Sequence, residues 1–295
     1  MTRLVELLVA GVSLGAIYAL IAVGFVVVYK GTRVINFAQG SMLLLGGYVV
    51  ATLSPDIGFW PAVVAGAAAS GLAAVVVRVL MSWSSTDDHM VLTIVTIGVD
   101  VVLATELIRR IGPRLLTMGD PWGDDVLNLG PVTVPQARIA ATVTAALLLA
   151  AFFAVFAFTD WGVTMRAAAD DPETASLMGI RLGRVATSSW LLGGALAAVA
   201  GVYLAAFPSA GLDSHAGVVA LGAVPAVILG GLDSLHGAVI GAVVIGLVEA
   251  LANGYGAELS FLGRGFGSVA PFLVMAAVLL WRPSGLFGTR ELTRV

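Results

Sequence analysis

The sequence contains no cysteine, so disulfides and thiolate metal sites are excluded and thiol usage says nothing about compartment. Charge is scarce: 11% of 295 residues are Asp, Glu, Lys or Arg, where a soluble domain carries about a quarter. That shortage excludes most soluble enzymes, and the 59% hydrophobic content excludes disorder. The net charge of −3 is small and the basic residues are scattered, without the clustered face that nucleic-acid binding needs. Lys30 is the only lysine, with no glycine-rich run before it, so the phosphate loop G-x-x-x-x-G-K-[ST] is absent. Any energy from ATP must come through another subunit. The histidines His89, His215 and His236 lie far apart and form no H-E-x-x-H pair. They read as loop or helix-end residues, and no metal site is expected.

What the chain has in abundance is apolar length. Its mean hydropathy is +1.01, and runs near the roughly 20 residues that a spanning helix needs recur from end to end. Candidate spans are Val5–Tyr29, Phe37–Leu53, Trp60–Leu80, Val91–Ile111, Gln136–Phe158, Arg184–Phe207, Val218–Leu229, Gly237–Leu251 and Gly267–Trp281. The expected fold is an all-α polytopic membrane protein, one transmembrane domain over residues 1–295. It has about eight transmembrane helices plus one short half-helix or re-entrant segment. The first run is longer than the 7–15-residue core of a signal peptide and is expected to be retained. Within it Gly11, Gly15 and Ala19 recur every four residues, as do Gly193, Ala197 and Gly201 later, and Gly237 pairs with Gly241. Such spacing lets helix backbones approach closely.

Two regions interrupt the pattern. Val218–Leu229 is only about 12 residues, roughly 18 Å of helix, and the turn-forming Gly230-Gly231-Leu232-Asp233-Ser234 follows it. Broken backbone at membrane depth must be buried in protein or line a cavity. In Val34–Tyr48, residues Asn36, Gln39, Gly40 and Ser41 interrupt a span as it begins. The two could be matching parts of an internal repeat, and broken helices in matching halves mark transport pathways. An ordinary polar helix start is the alternative.

Basic residues set the orientation. Placing Lys30, Arg33, Arg78, Arg166, Arg181, Arg184, Arg282, Arg290 and Arg294 inside leaves Arg3, Arg109, Arg110, Arg114, Arg138 and Arg264 outside. The C-terminus is then cytoplasmic. The N-terminus is outside if the short segment counts as a crossing. Asp100 lies mid-span with Thr96 and Thr93 on the same face, and an aspartate there costs roughly 2.5–3.5 kcal/mol. It is expected to face helices or water, either bonded to those threonines, lining a pathway or coupling protons. Candidate pathway residues are Asn36, Gln39, Ser41, Thr96 and Asp100. Glu106 has Arg109 and Arg110 at ion-pair spacing. Glu6 and Glu249 lie near helix ends, where an interfacial position is the default.

The polar segment Asp160–Arg184 separates two strong spans. Asp171 can cap a helix, Pro172 suits its first position and Glu173 complements its positive end. Gly179 can end it in the left-handed conformation. The product is a helix of about two turns bearing Ala175, Leu177 and Met178, too short to span. Small and apolar residues on such a loop helix suit insertion into a cleft of a partner protein; a solvated connection is the alternative.

Five blocks now carry a resemblance: Gly15–Tyr29 (GAIYALIAVGFVVVY), Val34–Tyr48 (VINFAQGSMLLLGGY), Arg166–Ile180 (RAAADDPETASLMGI), Ala226–Leu247 (AVILGGLDSLHGAVIGAVVIGL) and Arg282–Gly288 (RPSGLFG). In order and spacing the chain resembles the LivH-type permease subunits of ATP-binding-cassette importers for branched-chain amino acids. The resemblance implies that the loop at about 160–184 engages a nucleotide-binding subunit through Arg166, Ala168, Pro172, Ala175, Leu177, Met178, Gly179 and Ile180. It also implies a second, LivM-like permease, two cytoplasmic ATPases that hold ATP and magnesium, and an extracytoplasmic substrate-binding protein. That protein would approach the external loop at about 113–135. The chain itself would hold no cofactor, sit among lipid in a bacterial inner membrane and be no enzyme. It departs from the family at Gln39, where a histidine is common. Asp100 stands where a small polar residue is expected. Gln39 cannot titrate near neutral pH, and urea, short amides or other small acids stay open as substrates. Two other classes would need different residues. An ion-coupled carrier would use Asp100 and Glu106; an intramembrane enzyme lacks a paired-aspartate, histidine-metal or serine-nucleophile motif.

Overall fold

The computed structural model describes residues 2–84, 88–123, 125–129, 132–206, 211–213, 216–258 and 265–288. Of the residues considered above, His215, Arg264, Arg290 and Arg294 lie outside the described residues. The chain runs α1 (Thr2–Thr32), α2 (Gln39–Ile57), α3 (Phe59–Ser82), α4 (His89–Ile111), then a hairpin of β1 (Val126–Leu129) and β2 (Val132–Pro135). It continues with α5 (Gln136–Phe158), α6 (Asp160–Asp170), α7 (Pro172–Leu177) and α8 (Leu182–Ala206). Next come α9 (Ala216–Val219), a 3-10 turn at Ala220–Ala223, α10 (Val224–Gly230), α11 (Leu235–Gly254) and α12 (Phe266–Trp281).

Among the described residues seven helices are long and apolar enough to cross a membrane: α1, α2, α3, α4, α5, α8 and α11. The 16-residue α12 and the stretch Ala220–Gly230 are apolar but shorter. The all-α polytopic expectation holds. Local chemistry sets the helix ends. Asp88 caps α4 by accepting from the Met90 amide, and Ser234 caps α11 by accepting from the Gly237 amide. The hairpin, antiparallel with Val126 opposite Pro135, was not foreseen; four-residue strands leave little alternation to read.

Packing sorts these helices by position. α1 and α8 form the centre, with 83% and 72% of their most apolar windows buried, against 11% for α4 and 17% for α5. α1 makes its largest contact with α11. The small-residue spacings lie at these crossings. A methyl built on Gly11 would come within 2.8 Å of Leu247 Cα, and one on Gly15 within 2.7 Å of Val243 Cα. One on Gly193 would reach Val28 Cγ2 at 2.7 Å, and one on Gly201 the Leu43 carbonyl at 2.5 Å. Gly237 and Gly241 lie against the backbone of Gly230 and Ala226 in α10. Backbones this close leave no room for a side chain.

The two interrupted regions are real breaks in the helices. Between α1 and α2, Arg33 adopts a left-handed φ of 57°, and residues 34–36 are not helical. The second break splits 216–230 into α9, the 3-10 turn and α10, ending at Gly231 with φ 103°. This segment does not return to the end it left. Just before it, Leu212 pairs with Leu116 in the loop after α4. Just after it, the Asp233 carbonyl accepts from Lys30 Nζ at the far end of α1 (3.0 Å). The block Arg282–Gly288 closes the second break: the Leu286 amide donates to the Leu229 carbonyl (2.8 Å) and the Phe287 amide to that of Gly230 (3.1 Å).

Candidate functional site

At the end of the bundle that carries α6 and α7, each element is held by named contacts. The Trp161 indole donates to Ser188 Oγ (2.8 Å), and Met165, Ala168 and Ala175 are buried. The Arg166 guanidinium donates to the Phe156 carbonyl and lies over the Phe156 ring at 5.1 Å. From α1, the Arg33 guanidinium donates to the Ala169 carbonyl. Asp171 caps α7, accepting from the Glu173 and Thr174 amides (both 3.1 Å) and from the Thr174 hydroxyl (2.6 Å). These bonds, the Thr174 hydroxyl first, hold its carboxyl below the ordinary range. Pro172 opens the helix, and Gly179 turns the chain away with φ 86°. The Ile180 amide then donates to the Ala175 carbonyl (3.0 Å) and its side chain packs on the core. One face is therefore anchored. Leu177 and Met178 point away, 88% and 80% exposed.

The five candidate pathway residues form a knot inside the protein. Asn36, Gln39, Ser41 and Thr96 are buried. Asn36 Oδ1 accepts from the Ala38 amide (3.1 Å), its Nδ2 donates to Gln39 Oε1 (3.2 Å), and Gln39 Nε2 donates to the Gly193 carbonyl (3.1 Å). Gly24 makes room for that amide, since a methyl there would lie 2.6 Å from Gln39 Nε2. Asp100 Oδ1 accepts from the Ser41 hydroxyl (2.5 Å) and amide (3.2 Å) at the start of α2. The threonine partners considered for Asp100 are engaged elsewhere. The Thr96 hydroxyl accepts from the Phe37 amide and lies within bonding distance of the Ile35 and Thr93 carbonyls. Thr93 Oγ1 donates to the His89 carbonyl. Helical spacing puts these side chains on one face, but the neighbouring turn offered closer partners. Glu106 pairs with Arg109 (2.8 Å) and Arg110 (2.6 Å) on an exposed edge. His236 stacks on Phe153 with centroids 4.8 Å apart.

A cavity of about 560 Å³ lies towards the other end, between α1, α5, α8 and α11. Tyr18, Arg138, Asp213 and Glu249 line it, and none of the five knot residues does. The Tyr18 hydroxyl donates to Glu249 Oε2 (2.8 Å) across 231 positions of sequence. Glu249 is thus tied to α1 within the helix bundle. Near-neighbour spacing offers no sign of such a pair.

The family described as "Branched-chain amino acid transport system / permease component" matches residues 7–280. The chain belongs to that permease family. It is 31% identical to the high-affinity branched-chain amino acid transport system permease protein LivH of Escherichia coli (strain K12), over 97% of this chain and 96% of the relative. The probable branched-chain amino acid transport permease protein LivH of Methanocaldococcus jannaschii is 30% identical over 91% and 88%. The BraD permease protein of Pseudomonas aeruginosa, described in the same high-affinity terms, is 28% identical over 98% and 97%. No solved structure matches the chain. As a member of this family it is a permease component rather than an enzyme, and a multi-pass membrane protein.

Proposed function

We propose that this chain is one of two permease subunits of an ATP-driven importer, forming half of the pathway for branched-chain amino acids. The observation that carries the reading is α7: capped, anchored on one face, and presenting Leu177 and Met178. Exposed apolar side chains on a rigid polar connection suit a cleft in a partner. The partner is a cytoplasmic ATPase, one of two that bring ATP and magnesium. A LivM-like permease completes the pathway, and an extracytoplasmic binding protein delivers substrate near the loop at about 113–135. The protein then sits in a bacterial inner membrane as a single transmembrane domain. The α6–α7 end is cytoplasmic in this reading, and the packing of residues 282–288 on the second break at that same end supports a cytoplasmic C-terminus. ATP energy reaches this subunit as differential binding of the ATPases to its two conformations.

An ion-coupled carrier is less well supported. Its two carboxylates are already engaged, Asp100 by Ser41 and Glu106 by two arginines. Urea, short amides and other small carboxylates are the alternative substrates.

Capture of the chain from its native membrane with mass spectrometry of its companions tests the reading. A second permease and P-loop ATPases are expected, and the double variant Leu177→Asp, Met178→Asp should shed the ATPases while remaining folded. Recovery of the chain alone, with uptake persisting after ATP depletion, overturns it.

A further inference from the structure

The geometry points to Lys30 and Arg33, at the end of α1, as the positioning residues that carry movement of the ATPase-docking element α6–α7 to the α10 end of the second helix break. The inference rests on the permease reading and deepens it by naming the link inside this chain. α6 packs on α1, α5 and α8, and α10 packs on α1, α11 and α12. Among these larger contacts α1 is the helix common to both. Its end carries two cations, and each takes the carbonyl of another element. The Arg33 guanidinium donates to the carbonyl of Ala169, the penultimate residue of α6. The last carbonyls of a helix lack an intrahelical partner, and a cation beside them meets the negative end of the dipole. Lys30 Nζ donates to the carbonyl of Asp233 (3.0 Å), in the turn between α10 and α11. Lys30 is also attracted by the carboxylates of Asp233 and of Asp170, the last residue of α6. From one position it faces both the docking element and the second break.

A link transmits movement only where it is stiff, and this turn is held on several sides. The Arg33 amide donates to the Tyr29 carbonyl (2.7 Å), and Thr32 Oγ1 donates to the Val28 carbonyl (2.8 Å). The Trp190 indole of α8 donates to Thr32 Oγ1 (3.4 Å). A methyl built on Gly31 would reach Ser189 Cβ of α8 at 2.8 Å, so α8 fits closely along the same turn. Arg33 itself adopts φ 57°, a left-handed conformation that persists in a residue with a side chain only where the surroundings hold it. Its guanidinium lies over the Tyr29 ring at 5.8 Å, and the bond to Ala169 adds a further restraint. Movement of the α6 end therefore pulls on a short, braced stretch. The first break follows it directly in the chain, and the second lies one side chain away.

The chain has no native cysteine, so a single thiol can report on the break. Leu221→Cys places it on the exposed side of the 3-10 turn that leads into α10, and Asn128→Cys on the hairpin is the control. Maleimide labelling of this chain in the assembled complex is read by mass spectrometry, without nucleotide and with ATP trapped by vanadate. The two rates at 221 are expected to differ by about fivefold or more, the lower end of ordinary coupling between sites, with 128 unchanged. Arg33→Asn removes the guanidinium but keeps a residue that tolerates the left-handed conformation, and Lys30→Gln removes the other cation. Each should abolish the difference at 221 while the ATPases stay bound and ATP is still hydrolysed. Lys30→Arg keeps a charge and a donor and should retain the difference. Where Arg33→Asn does not assemble, the two Lys30 variants decide. A parent-like difference in Arg33→Asn or Lys30→Gln overturns the link, as does its equal loss in Lys30→Arg or its absence from the parent. Loss of ATPase binding and hydrolysis together with the difference makes the two residues structural supports, which also overturns it. Any of these results, with ATPases bound to the parent, leaves the permease reading standing. A parent complex that contains no ATPase refutes the permease reading itself.

Discussion

The two helix breaks make opposite use of the same device. At the first, between α1 and α2, Asn36 and Gln39 satisfy one another and the Gly193 carbonyl, and both side chains are buried. At the second, over 216–231, the chain supplies few polar side chains, and part of it borders the cavity that Tyr18, Arg138 and Glu249 line. The polar side chains of the first break are therefore the buried ones. A polar side chain in an apolar setting is stable only where partners are supplied, so density of polar residues marks internal satisfaction as readily as a pathway.

The comparison can be tested at the first break. Gly193→Leu should have the largest effect: its side chain would collide with Val28 and the Gly24 backbone, costing about 3 kcal/mol or more. The expected result is loss of monodisperse protein on size exclusion after membrane extraction; a normal yield would show that the crossing can open. Gln39→Leu is smaller, leaving the Gly193 carbonyl and the Asn36 amide without their partner at about 2 kcal/mol. Its melting temperature in detergent should fall clearly below that of Glu249→Gln. The reverse order would make the cavity, rather than the knot, the structural element.

Asp100→Asn keeps an oxygen that can accept from Ser41, so about 1 kcal/mol or less is expected, with uptake retained. Normal stability with abolished uptake would instead assign Asp100 to proton coupling. The smallest effect belongs to α7, which follows the α6 end that Arg33 grips beside the first break. The Thr174 bonds hold the Asp171 carboxyl below its ordinary value of 3.8. Its capping contribution is thus fully present above the unfolded value and is lost only as pH falls through the lowered one. Hydrogen exchange over residues 171–180, corrected for intrinsic rates, should not change between pH 7 and pH 5. A marked loosening in that interval would mean that another group controls the helix.

The short capped helix α7 was legible in the sequence because caps act within a few residues. Asp171, Pro172 and Gly179 each do their work on neighbours two to five positions away. The glycine spacings likewise revealed where helices cross, though not which helices meet. Asp100 illustrates the limit. Its threonines stood on the correct face by spacing, and Ser41, 59 positions away, took the bond.

The sequence by itself determined the number and approximate limits of the apolar helices, their breaks and the short capped helix, all from chemistry confined to a turn or two. Only the tertiary structure decided which helices are central. α1 and α5 share a mean hydropathy of 2.4 over their most apolar windows, yet 83% of one window and 17% of the other are buried. In lipid an apolar surface gains little by leaving its surroundings for another apolar surface, so small-residue packing rather than hydropathy chooses helix neighbours. The same choice brought Tyr18 to Glu249 and left a cavity beside them.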